Sequence, residues 1–195
     1  MKRIVLALAL LAASRLPAAD TSVPPVAQKF LGLFQELREA GTARGSSGRH
    51  VSFALSDDEI NEYMRYSLRA TPRPGVDSVT VKIFPQNYIS TFTVVDFDAV
   101  ERWKPGTIPY LLRPILRGKQ SVWLDYRFAA ANSTATFSVE KAYYDKIRLP
   151  AFFVEKMIQI LAARQPEHYD TSKPVPLPFG LRQVWTENHV AKGNN

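Results

Sequence analysis

Between Val76 and Leu149 apolar side chains recur every second residue, and that alternation constrains this chain more than any other feature. Val79, Val81 and Ile83 alternate with polar residues, Pro85-Gln86-Asn87 supplies a turn, and Tyr88 to Val100 follows as a long strand. A second hairpin sets Val122, Leu124, Tyr126 and Phe128 on one face, turns at Asn132-Ser133, and returns through Phe137 and Val139 to Tyr143. Strands this long predict a twisted or curved antiparallel sheet.

Helical spacing brackets that meander. Val26, Phe30, Leu33, Phe34 and Leu37 fall three or four apart after Val23-Pro24-Pro25, which predicts a helix to about Ala40, ended by Gly41. Gly41 to Gly48 then reads as a flexible connector, and Val51, Phe53 and Leu55 as a short strand. Ser56-Asp57-Asp58-Glu59 spells a capping box, with Leu55 and Ile60 placed to staple over it and Ile60, Tyr63, Met64 and Leu68 as the buried stripe. Those three acids suit the positive end of a helix dipole better than catalysis or calcium. Thr71-Pro72-Arg73-Pro74-Gly75 stops the helix. Pro150 opens a third helix with Phe153, Met157, Ile160 and Leu161 on its apolar stripe and Arg164 in its last turn. A proline-rich stretch from Pro166 to Pro178 crosses the surface, and Leu181 to Val190 reads as a final strand. The expected fold class is α+β, a curved antiparallel β-sheet packed on or wrapped around two to three amphipathic helices.

The N-terminus carries an address. Met1-Lys2-Arg3, the apolar run Ile4 to Ala13 and the small residues before Asp20 have the layout of a signal peptide, a run too short to span a bilayer. Residues 1–19 are thus expected to be a signal peptide and 20–195 a single exported α+β domain, periplasmic or secreted. No cysteine occurs in the 195 residues, so disulfides, zinc–thiolate sites and thiol catalysis are excluded together and stability must come from packing. Lys2, Arg3 and Arg15 lie in the leader and reduce the formal charge of +7 by three. The residual +4 suits mild attraction to anionic surfaces and does not amount to a nucleic-acid footprint.

Catalytic signatures are not found. His50, His168 and His189 stand in separate segments without metal-ligand spacing, and no glycine-rich phosphate loop or nucleophile elbow occurs. Asp96 and Asp98 face the same way on the expected strand, too few oxygens for calcium, and read as a strand end. A carboxylate-dependent cell-wall hydrolase would need two acids converging from distant segments, and no pair is nominated. No cofactor, metal or catalytic residue is therefore assigned, and the chain is read as a non-enzyme.

One segment does carry an interaction signature. Ile108, Tyr110, Leu111, Leu112, Ile115 and Leu116 crowd together, interrupted by Pro109 and Pro114 and interleaved with Arg113, Arg117 and Lys119. The prolines oppose a long regular helix, leaving an irregular apolar flap edged with cations. Such a flap suits a membrane surface, leucines entering the interface while arginines meet phosphates. A crossover loop packed on the core is the other reading.

Phe53-Ala54-Leu55-Ser56-Asp57-Asp58-Glu59-Ile60-Asn61, the β meander, the helix after Pro150 and Leu177-Pro178-Phe179-Gly180-Leu181-Arg182 resemble an uncharacterised family of exported bacterial proteins. By element order that pattern is distantly similar to bacterial TULIP-type lipid-binding domains, in which a curved sheet wraps a helix around an apolar groove. The resemblance implies lipid binding or shuttling, or help in envelope assembly, with residues 108–116 at the rim and a lipid, a membrane surface or an envelope protein as partner. The chain departs from the pattern at Trp185-Thr186-Glu187-Asn188-His189, which is more polar than a core strand. A protein-binding envelope scaffold with a solid core is the alternative.

Overall fold

The computed structural model describes residues 23–42, 50–108, 110–163 and 173–195. The candidate leader 1–19, most of the glycine-serine connector, Arg164 and His168 lie outside them.

Helix α1 (Pro25–Thr42) leads into β1 (Ser52–Ser56), α2 (Asp57–Ala70), the hairpin β2 (Val76–Phe84) and β3 (Tyr88–Asp96), and a short α3 (Phe97–Trp103). A 3-10 turn at Tyr110–Leu112 precedes the long hairpin β4 (Lys119–Ala131) and β5 (Thr134–Tyr144), then β6 (Ile147–Leu149) and α4 (Ala151–Ala163). The chain closes with β7 (Val175–Pro176), a second 3-10 turn, β8 (Gln183–Glu187) and β9 (Val190–Asn194). The fold is α+β. A six-stranded antiparallel sheet has the order β2-β3-β4-β5-β6, with β7 also pairing β5, and a three-stranded sheet has the order β1-β9-β8.

Local chemistry explains most of these boundaries. Ser56 accepts from the Glu59 amide at 3.1 Å and Glu59 accepts from the Ser56 amide at 2.9 Å, so the capping box forms as its residues dictate. The β2–β3 connection carries positive φ at Gln86 and Asn87, and the β4–β5 turn at Asn132 and Ser133, the backbone that tight hairpins demand. Gly75 takes φ +87 where a Cβ would lie 2.6 Å from the Asp96 carbonyl oxygen, so only glycine fits between α2 and the start of α3.

Packing concentrates at one end of the large sheet. Phe30 stacks on Tyr63 at 4.4 Å, and both join Leu55, Ile60, Met64 and Ile83 in the core that holds α1, α2, β1 and β2 together. Ile89, Tyr126 and Phe128 continue that face along the sheet. The outer edge of β2 is closed by side chains of α2. Asn61 bonds both the amide and the carbonyl of Val81, and Asp57 accepts from the Ile83 amide at 3.4 Å, which blunts an edge that would otherwise template aggregation. Asp57, one of the three acids at the start of α2, is buried and also meets His189 Nδ1 at 2.8 Å. The α2 start is thereby tied to the β8–β9 turn.

Two segments depart from the sequence reading. The strand expected over Tyr88–Val100 ends at Asp96, whose carboxylate accepts from the Ala99 amide at 3.0 Å and caps α3. Asp96 thus both ends β3 and caps α3, and Asp98 lies in the first turn of that helix. The single last strand expected over Leu181–Val190 is instead a hairpin, β8 and β9, folded at Asn188-His189 and paired with β1. The polar character of residues 185–189 belongs to that turn and its flank.

Candidate membrane-contact site

Residues 97–118 lie between β3 and β4 and leave the sheet as a braced loop, with Lys119 at the start of β4. The brace is Glu101 on α3. Its Oε1 accepts from the Gly106 amide at 2.8 Å and from Arg113 Nη2 at 2.6 Å, and its Oε2 accepts from the Ile108 amide at 3.0 Å. One carboxylate thus ties the helix, the Gly106 turn and the 3-10 turn into a single unit. The far end is pinned to the sheet, where the Tyr144 hydroxyl donates to the Ile115 carbonyl at 2.7 Å and the Phe97 ring lies 6.0 Å from that of Tyr144. Burial raises the Tyr144 hydroxyl above its ordinary range.

This bracing divides the apolar residues into two layers. Ile108 and Leu116 are buried, so for them the packed-loop reading holds. Leu112 is half-buried, and the Leu111 side chain lies outside the described set. Tyr110 and Ile115 point outward, 81% and 48% exposed, beside exposed Arg113 and Arg117. Of the eight residues singled out in this segment, the structure therefore turns Tyr110, Arg113, Ile115 and Arg117 toward solvent.

Trp103 and its flanking cations were not part of the sequence reading. Trp103 ends α3 at 59% exposure, and Arg102 and Lys104 flank it. An alternation that seemed to run through Val100 hid the helix on which Trp103 sits. Asp96 ahead of Ala99 was the available signal, since aspartate is a preferred N-cap. Counted over 97–119, Arg102, Lys104, Arg113, Arg117 and Lys119 oppose Asp98 and Glu101, a net charge of +3.

Elsewhere four acids stand in ion pairs. Glu59 pairs with Lys29, Asp77 with Lys119, Glu140 with Arg127, and Glu187 with Lys192. Among the described residues no group of three or more His, Asp or Glu is placed to hold a metal ion. No described helix is long and apolar enough to cross a membrane. No family model, curated protein or solved structure matches the chain.

Proposed function

We propose that this is an exported, non-enzymatic lipid-binding protein of the bacterial envelope that attaches peripherally to an anionic membrane surface through residues 97–119. The observation that carries the reading is the exposure of Trp103, Tyr110 and Ile115 on a loop of net charge +3 whose shape is fixed by Glu101. Aromatic rings favour the headgroup level, and cations beside them meet lipid phosphates. Export rests on the sequence of residues 1–19.

The magnitudes describe weak, reversible attachment. A net +3 near an anionic leaflet contributes roughly 3 kcal/mol at about 1 kcal/mol per charge. Partial burial of three apolar side chains adds roughly 2–3 kcal/mol. Together these correspond to a dissociation constant on the order of 0.1 mM. The test is sedimentation with phosphatidylglycerol and phosphatidylcholine vesicles. Binding should favour the anionic vesicles, weaken with salt, and disappear in a triple variant with Trp103, Tyr110 and Ile115 replaced by Ser at unchanged thermal stability. Equal binding of wild type and triple variant would refute the assignment.

A further inference from the structure

The large sheet has a second face, turned away from the core, and strand register assembles an unusual surface there. Phe92 on β3 opposes Trp123 on β4, Trp123 opposes Tyr143 on β5, and Tyr143 opposes Arg148 on β6. Three aromatic residues therefore stand side by side in one row across the strands. Adjacent strands lie about 4.8 Å apart, so the row spans about 10 Å, the length of a disaccharide. Phe92 and Trp123 are 41% and 48% exposed, and Tyr143 is half-buried.

The row is preorganised by the polar residues beside it. Trp123 Nε1 donates to Ser90 Oγ at 2.7 Å and to Asp125 Oδ1 at 2.8 Å, which tips the indole toward the neighbouring row. Asp125 is buried although it belongs to the open face. Arg127 lies 5.2 Å from the centre of the Tyr88 ring and pairs with Glu140 at 3.2 Å. Around the aromatics stand Lys82, Lys141 and Arg148, whose side chains have no ion-pair or hydrogen-bond partner among the described residues. Arg148 and Glu140 also line a shallow recess of about 320 Å³ with Leu149, Pro150 and Ala151, at the end of the row.

We propose that this face binds an acidic, pyranose-based polysaccharide. The apolar C–H face of a sugar ring packs on an aromatic face, and ring hydroxyls at its rim meet polar neighbours such as Ser90 and Glu140. Lys82, Lys141 and Arg148 supply the charge complement to uronate carboxylates. Single-stranded nucleic acid fits less well. Trp123 and Tyr143 are inclined by 50° to one another, unlike a continuous base stack. Sugar rings do not stack on each other, so each can use a separately inclined ring. The site is distinct from residues 97–119, and its outcome is independent of membrane attachment.

Calorimetric titration of the full-length protein with alginate hexasaccharide, hyaluronan hexasaccharide, uncharged cellohexaose and oligo-dT tests this. An acidic hexasaccharide should bind most tightly. Phe92→Ala and Trp123→Ala should each weaken it roughly tenfold, the scale of one lost aromatic contact. The double variant Lys141→Gln, Arg148→Gln should bring its affinity down to that of cellohexaose with the thermal midpoint unchanged. Trp123 also bonds within the sheet, so if Trp123→Ala unfolds, Phe92→Ala and the double variant carry the result. Absence of binding to both acidic hexasaccharides, tighter binding of oligo-dT, or acidic-glycan binding that survives these variants would each overturn the assignment.

Discussion

Replacing Glu101 by Ala should loosen the 97–119 loop without unfolding the protein. The carboxylate holds two backbone amides, those of Gly106 and Ile108, and the guanidinium of Arg113. A net hydrogen bond of this kind contributes about 0.5–1.5 kcal/mol. The Arg113 pair is half open to water, with side-chain exposures of 48% and 24%, so screening limits it to a few tenths up to about 1 kcal/mol. The lower half of these ranges suits a partly solvated site and gives about 2 kcal/mol in all. Hydrogen exchange followed by mass spectrometry reads this directly, because the Gly106 and Ile108 amides are the donors. Their exchange should accelerate roughly thirtyfold, while amides of β4 and β5 keep their protection. Glu101→Gln retains an acceptor without charge and should fall between. Arg113→Gln removes only the exposed pair and should leave both amides nearly unchanged. Unchanged protection at both amides would refute the bracing role, and acceleration spread equally over the sheet would show that Glu101 supports the whole fold instead.

Three further outcomes follow from local geometry. Ser56→Ala removes the acceptor for the Glu59 amide and should cost about 1 kcal/mol in urea unfolding at an unchanged slope. Gly75→Ala forces a Cβ against the Asp96 carbonyl oxygen at φ +87 and should cost about 2 kcal/mol or more, read as a drop in thermal midpoint. Glu59 has its carboxyl held below the ordinary range, foremost by the hydrogen bond from Lys29. The folded chain therefore takes up that proton at lower pH than the unfolded chain. Its contribution is complete above the unfolded value and is lost as pH falls through the folded one. In Lys29→Met the urea midpoint should fall less steeply between neutral and acid pH than in the wild type, and parallel curves would remove the assignment.

What the sequence made legible was whatever a few consecutive residues decide. Ser56 and Glu59 define a helix start from within one turn, and Asn132-Ser133 fixes a hairpin because its backbone demand is local. The same logic ran out where partners are distant. The burial of Asp57 depends on His189 and on the Ile83 amide, neither of which the capping pattern implies. The fold at Asn188-His189 places a histidine at φ +61, outside the usual turn vocabulary, so the sequence does not mark the division into two strands. Within 108–116, composition identified an apolar, cationic loop, but the division into buried Ile108 and Leu116 and exposed Tyr110 and Ile115 follows from a brace at Glu101.

The aromatic row shows most clearly why sequence spacing was insufficient. Counting back from the turn, Ala131 pairs with Thr134, Phe128 with Phe137 and Tyr126 with Val139. Continued without interruption, that count would set Trp123 against Ala142 and leave Tyr143 on the face of Phe137 and Val139, as period-two alternation implies. The ladder instead skips Glu140, pairing Asp125 with Lys141, so Trp123 meets Tyr143. One extra residue in β5 reverses the face of everything beyond it. Tyr143 joins Phe92 and Trp123 on the open side, and Ala142 turns inward and is buried. The bulge also leaves the Glu140 carboxylate beside Arg127 and at the mouth of the recess that Arg148 shares. A single register step therefore creates the aromatic row and its charged end together, which ties both to one feature that alternation alone does not reveal.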